Sequence, residues 1–213
     1  CNAPGTNSNA VAELAMGLML CCARSLPYHF ANTKQKLWKN DRNGMELTGK
    51  TLGILGLGAI GKELAKKAAA FGMKVLGYSR HIDESFCKEY GIIPADRETI
   101  LQESDVISLH MPQTPLTKES INKEAFAQMK KGVILINTSR GYLVNRADLV
   151  DAIKAGIVAS YGTDVMQEEP PETDDPLFSL DEVVITPHMG ASTEEAHIKM
   201  MDVAMTNALD ILV

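Results

Sequence analysis

Thr51-Leu52-Gly53-Ile54-Leu55-Gly56-Leu57-Gly58-Ala59-Ile60-Gly61 sets three glycines at G-x-G-x-x-G spacing directly after a short apolar run. A helical pattern, Lys62-Glu63-Leu64-Ala65-Lys66-Lys67-Ala68-Ala69-Ala70-Phe71, follows, and then a second strand-like run, Lys74-Val75-Leu76-Gly77-Tyr78. Glycine-rich turns also serve packing alone, but strand, turn, helix and second strand together are the context that a dinucleotide fingerprint requires. Gly56 permits the tight turn, Gly58 lets backbone approach a pyrophosphate, and Gly61 lets helix and strand pack closely. The helix N-terminus then offers free N–H groups and partial positive charge to phosphates.

Working outward, apolar strand patterns alternate with helical ones from Lys50 onward, which predicts an α/β fold with a mostly parallel, doubly wound sheet of Rossmann type and helices on both faces. Strands are expected at 51–55, 74–78, 106–109, 133–136, 158–163 and 183–185, and helices at 59–71, 97–103, 123–129, 146–155 and 192–212. Ile92-Ile93 reads as a short strand or a buried loop, and Asp83-Glu84 as the start of a further helix. Gln167 to Asp175 holds two adjacent prolines and five acids, so it reads as a loop. Residues 1–49 read as an entering hinge, an apolar helix and a connector, 50–190 as the nucleotide core, and 191–213 as a closing helix. Ala10 to Ser25 is a helix apolar nearly all round, which implies burial on several sides, at an oligomer interface or a domain junction. Pro27 to Gly49 reads as connector, with Lys34–Trp38 a candidate helix.

The 213 residues carry a net charge of −6, which argues against general nucleic-acid binding. No apolar run reaches the length of a membrane span. Residues 10–23 are interrupted by Glu13, so a signal peptide is the weaker reading there. Cys1, Cys21, Cys22 and Cys87 show no metal-binding spacing and read as reduced thiols of a cytoplasmic protein. The chain starts at Cys1 rather than Met and reads as a piece of a longer protein.

Three polar clusters follow expected strand ends, where open parallel sheets bind ligands. They are Asn137-Thr138-Ser139-Arg140-Gly141, then Asp164 with Glu168-Glu169-Pro170-Pro171, and Pro187-His188-Met189-Gly190-Ala191-Ser192-Thr193. Taken singly, Arg140 fits a structural ion pair, His188 a satisfied loop histidine, and Glu169 a solvated acid. Together they supply what hydride transfer from a 2-hydroxy acid needs. An arginine grips the carboxylate, a histidine exchanges the hydroxyl proton, and a carboxylate fixes the histidine tautomer. His29, His81, His110 and His197 lack such company as catalytic groups.

With these residues in place, the chain resembles the cofactor-binding domain of the D-isomer-specific 2-hydroxyacid dehydrogenases over essentially its whole length. Gly56–Gly61, Asn137–Gly141, Asp164–Pro170 and Pro187–Ala191 carry the match. The resemblance implies that Arg140 binds substrate, Glu169 partners the histidine and His188 is the acid/base. It further implies that Asp164 holds the nicotinamide carboxamide, that Ala59 and Ile60 touch the pyrophosphate, and that Met111, Thr138 and Ser139 line the nicotinamide half. The expected cofactor wall also includes His110, Pro112, Gly190 and Ala191. Asn2–Ser8 and His188–Ala196 look most like the phosphoglycerate dehydrogenase branch, with hydroxypyruvate and glyoxylate reductases the near alternative. Transcriptional corepressors that sense nucleotide resemble the same family and keep a similar triad. Members also carry an N-terminal substrate domain, which this chain lacks, and pair as homodimers through the domain seen here. A small-molecule substrate, NAD or NADP, no metal and a homodimer are therefore expected.

The second strand decides between cofactors. NAD-specific members of this fold place an acid at its end, about twenty residues past the glycines. Here Ser79 stands at that position, followed by Arg80 and His81. Arg80 can pair with a 2′-phosphate and His81 can add a donor, so NADP(H) is expected to be accepted and preferred.

Overall fold

The computed structural model describes residues 5–212, with side-chain surroundings given to residue 208. Cys1 and the Asn2–Pro4 part of the matched N-terminal segment lie outside the described residues. The chain enters through α1 (Ser8–Ala23) and α2 (Leu26–Lys34). The nucleotide unit runs β1 (Thr51–Leu55), α3 (Ala59–Ala70), β2 (Lys74–Tyr78), α4 (Glu84–Tyr90), β3 (Ile93–Pro94), α5 (Arg97–Glu103) and β4 (Val106–Leu109). The second half runs α6 (Lys123–Gln128), β5 (Val133–Asn137), α7 (Arg146–Lys154), β6 (Val158–Thr163) and β7 (Val183–Ile185), with 3-10 turns at Gly141–Leu143 and Pro176–Ser179. α8 (Glu194–Leu212) closes the chain.

The described strands form one seven-stranded sheet in the order β3-β2-β1-β4-β5-β6-β7, every neighbouring pair parallel. The strand order reverses between β1 and β4. Register aligns the carboxyl ends: Leu55 lies opposite Tyr78 and Leu109, Leu109 opposite Asn137, Asn137 opposite Thr163, and Thr163 opposite Ile185. Every loop that leaves this row therefore opens on one edge of the sheet.

Strand alternation sorts the apolar side chains into two cores. Leu52, Ile54, Val106, Ile134 and Ile136 face α1 and α3, while Leu55, Ile107, Leu109 and Leu135 face the side of α5, α6 and α7. Gly53 is needed on the second side, since a Cβ there would lie 2.2 Å from Ser104 Oγ.

α1 corrects one expectation. Its apolar residues, among them Ala12, Ala15, Met16, Leu18, Met19 and Cys22, are buried within this chain against α3, β5 and β6, leaving Asn9, Glu13 and Gly17 outward. Its composition follows from an intramolecular partner on two sides and does not require an oligomer contact. The connector differs too. The second helix starts at Leu26, with Pro27 in its first turn, where a missing N–H costs nothing. Residues 35–38 lie past its end. Asp83 begins α4 as expected, its carboxylate accepting from Phe86 N at 3.1 Å. Ile92 is buried, whereas Ile93, in the two-residue β3, is exposed.

Candidate functional site at the carboxyl edge of the sheet

The glycine turn behaves as its spacing predicts. Gly56 has φ +112°, and a Cβ on it would sit 2.5 Å from the His110 carbonyl. A Cβ on Gly61 would sit 2.3 Å from the Gly56 oxygen. Gly58 has no atom within 4 Å of its Cβ position, and no side chain caps α3. Open space in front of uncapped helix N–H groups is the cradle a pyrophosphate requires. Ala59 is exposed and Ile60 half-buried at the same place.

A cavity of about 350 Å³ continues from Gly56 and Gly58 past Tyr78, Ser79 and Arg80 to His110, Met111 and Pro112. None of its lining residues is acidic. Arg80 is exposed and makes no ion pair among the described residues. His81 is exposed and does not line the cavity. Arg97, which the sequence did not single out, does line it, with its guanidinium donating to the Ser120 carbonyl at 2.5 Å. Its only sequence signal is its place as the first residue of a helix following the strand next to β2. His110 Nε2 lies 2.8 Å from Ser108 Oγ, and its Nδ1 is buried without a partner among the described residues. Burial pushes this imidazole down to about 4, so it is neutral near pH 7.

The other end is built by the loops after β5, β6 and β7. The loop after β5 is folded by Asn137, whose amide donates to the Arg140 carbonyl at 3.0 Å and whose oxygen accepts from Ser139 N at 3.1 Å. Ser139 Oγ donates to the Leu109 carbonyl at 3.0 Å. Thr138 Oγ1 is buried and has no partner among the described residues. An orphaned hydroxyl beside the strand ends suits a polar ligand such as a carboxamide. Arg140 reaches solvent, its guanidinium bonded among the described residues only to the neighbouring Ser139 carbonyl at 2.6 Å.

Glu169 and His188, nineteen residues apart in sequence, meet. His188 Nδ1 lies 2.5 Å from Glu169 Oε2, and Glu169 Oε1 accepts from Met166 N at 3.0 Å. Partial burial opposes the charge on Glu169, but the bonds from His188 and Met166, with the charges of His188 and Arg140, outweigh it and hold the carboxyl below its ordinary range. With Nδ1 engaged, Nε2 is the ring nitrogen left for chemistry. His188 has φ +52°, an uncommon backbone for a non-glycine residue, and Asp164 holds it there. That carboxylate is 2% exposed; Oδ1 accepts from Thr186 Oγ1 at 2.6 Å and Met189 N at 2.9 Å, and Oδ2 from Gly190 N at 2.8 Å. Asp164 thus anchors the loop that presents His188, with Oδ2 accepting one bond among the described residues. Gly190 is buried against it and Ala191 half-buried beside it. Behind His188 and Glu169 lies a second cavity of about 590 Å³ with apolar walls from Pro170, Leu177, Phe178, Val183 and Ile185.

Among the described residues no group of three His, Cys, Asp or Glu could hold a metal ion. No single described helix is long and apolar enough to cross a membrane.

A parallel sheet with an open glycine cradle at its reversal point defines a dinucleotide-binding domain. Sequence comparison makes this specific: residues 16–190 match the D-isomer specific 2-hydroxyacid dehydrogenase, NAD binding domain, and the chain belongs to that family. It is 45% identical over 197 residues to the D-3-phosphoglycerate dehydrogenase of Methanocaldococcus jannaschii, covering 92% of this chain and 37% of that protein. It is 47% identical over 199 residues to the hydroxypyruvate reductase of Thermotoga maritima, covering 92% of this chain and 64% of that protein. The chain therefore spans less than two thirds of either relative. Among solved structures, D-lactate dehydrogenase from Aquifex aeolicus complexed with NAD and lactic acid superposes with a TM-score of 0.89 at 32% identity, over 98% of this chain and 68% of that one.

Proposed function

We propose that this chain is the cofactor-binding half of a cytoplasmic dehydrogenase that interconverts a D-2-hydroxy acid and its 2-keto acid, with D-3-phosphoglycerate the first-choice substrate. The observation that carries the reading is the Glu169–His188 pair, held open to solvent beside Arg140 at the same sheet edge as the glycine cradle. Bound dinucleotide supplies the hydride acceptor. In oxidation His188 Nε2 takes the hydroxyl proton, Glu169 stabilises the imidazolium so formed, and Arg140 orients the carboxylate and the reacting oxygen. The phosphoglycerate assignment rests on relatives of that name at 42–45% identity, and hydroxypyruvate or glyoxylate reduction is the alternative supported by relatives at 47% and 41%. A nucleotide-sensing protein with the same triad is the reading from another class.

Substrate would lie between this domain and a second one. Thr6, Asn9, Ala10 and Glu13 share one cleft with Thr193, Glu195, Ala196 and Lys199 at the start of α8, and α8 leaves it with Ile198, Met201 and Met205 exposed. Exposed Phe30 and Trp38 support a homodimer formed through α2 and the connector after it. In the full-length protein, a panel of D-2-hydroxy and 2-keto acids followed by nicotinamide absorbance tests the function. His188→Gln should lower kcat by roughly 10²–10⁴ while cofactor affinity is kept. Near-normal turnover of the variant refutes the role of His188, and tight cofactor binding with no turnover on any acid favours the sensor.

For the cofactor, Ser79 and unpaired Arg80 on a cavity without acids support acceptance, and preference, of NADP(H). Arg80→Ala should weaken NADPH by about 1.5–3 kcal/mol and leave NADH unchanged. A wild type that binds NADH tenfold tighter than NADPH would falsify this preference.

A further inference from the structure

Two consecutive carboxylates, Glu168 and Glu169, stand on the loop that meets His188, and only the second does so. The first is turned the other way and tied down. Tyr142 donates its hydroxyl to Glu168 Oε1 at 2.8 Å, and Arg146 Nη1 lies 3.7 Å from Oε2. The same Arg146 nitrogen donates to Oδ2 of buried Asp175 at 2.6 Å, and Asp175 Oδ1 accepts from Leu177 N at 3.0 Å. Gln167 donates to the Val144 carbonyl at 3.0 Å. At the root of the contact a Cβ on Gly141 would lie 2.1 Å from the Met166 carbonyl, so the backbone after Arg140 rests directly on the backbone before Glu169. The loops after β5 and β6 are thus joined at Gly141–Met166, Tyr142–Glu168 and Val144–Gln167, and Glu168 is held on the side away from the histidine.

We propose that Tyr142, Arg146 and Glu168 are positioning residues that hold Glu169, and through it His188, in fixed relation to Arg140. The proposal rests on the dehydrogenase reading of the same site. Its physical basis is that Glu169 is itself exposed, with one protein bond besides that to His188. An exposed carboxylate on a proline- and acid-rich loop has no other lock on its rotamer, and a freed Glu168 would compete for the same histidine. The groups facing Glu169 are His188 and Arg140; those facing Glu168 are Tyr142 and Arg146, with Glu119, Glu172 and Asp175 around them.

The test uses the full-length protein with Tyr142→Phe, Arg146→Met, Arg146→Lys and the Tyr142→Phe, Arg146→Met double variant. Three readouts are taken: kcat and KM with the preferred acid, cofactor Kd, and the proton NMR signal of His188 Nδ1–H, which reports its bond to Glu169 without turnover. The double variant should lose roughly 10- to 100-fold in kcat, with cofactor Kd within about twofold, because misplacement of this kind acts on the reacting geometry. The Nδ1–H signal should shift or broaden, and Arg146→Lys should restore part of both. An unchanged signal and kcat in the folded double variant would overturn the proposal, as would equal loss of kcat and cofactor affinity. Should loss of the partner to buried Asp175 unfold the double variant, Tyr142→Phe, which removes one hydroxyl, decides by the same readouts. If the wild type turns over none of the acids, the dehydrogenase reading fails while the NMR signal still judges the clamp.

Discussion

Asp164→Asn keeps the volume of the side chain and removes one acceptor from a carboxylate that holds three donors. Thr186 Oγ1 and Met189 N share Oδ1, and Gly190 N holds Oδ2. Whichever way the amide turns, its NH₂ faces at least one of the two backbone N–H groups. One bond to a charged acceptor is lost and a buried N–H is orphaned, and the remaining bonds weaken because the acceptor is neutral. These terms overlap, and together they amount to about 2–4 kcal/mol. For a chain of this size each kcal/mol moves the melting temperature by about 2–4 °C, so a drop on the order of 10 °C is expected by calorimetry. Because the same bonds hold His188 at positive φ, kcat of the full-length variant should fall as well. The reading by resemblance, in which Asp164 serves the nicotinamide carboxamide, makes a different forecast: weaker NADH binding with stability intact. A melting temperature within about 2 °C of wild type, with NADH affinity lost, would refute the anchoring argument made here.

Two further outcomes follow from the same loops. Gly141→Ala puts a methyl carbon onto backbone that cannot rotate away, so destabilisation should reach or exceed the roughly 1–3 kcal/mol of ordinary overpacking; an unchanged urea midpoint would contradict the close approach. Glu169 has its folded-state pKa depressed, so its stabilising contribution is present above the unfolded value and disappears as pH falls through the folded one. The stability gap between wild type and Glu169→Gln should therefore close as pH is lowered from about 5 toward 3, and a gap constant across that range in urea titrations would show that the carboxylate is not stabilised by its partners.

The strands at 51–55, 74–78, 106–109 and 183–185 were legible to the residue because strands of a parallel sheet read as apolar runs bounded by glycine or polar loop. α2 was not, because Pro27 reads as a breaker until the chain geometry places it in a first helical turn. α1 misled in a different way: all-round apolarity states that a helix is covered but not by what, and only the sheet's own twist and order put β5 and β6 beneath it. At the site, the polar residues after each strand end could be found because topology sends all such ends to one edge. Which atoms of Asp164 meet Met189 and Gly190, and that Arg97 reaches the cavity beside Arg80, depend on tertiary placement that no local pattern encodes. The open cradle at Gly58 was legible since it is a property of three glycines at fixed spacing.

The reversal of strand order between β1 and β4 partitions the molecule into two inheritable halves. Ser79 and Arg80, proposed for the adenosine end, follow β2, whereas Arg140, Glu169 and His188 follow β5, β6 and β7 on the far side. β4 pairs with β1 on one side and β5 on the other, so the segment just after it, at His110 and Met111, lies between the two neighbourhoods. On the proposed reading, substitutions at residues 79–81 would act on dinucleotide choice from the opposite half of the sheet to the Glu169–His188 pair, whereas the later loops, which also carry Thr138, would touch both dinucleotide and acid. On that reading, the choice of redox partner and the transfer of the proton are set by residues from opposite halves of one sheet.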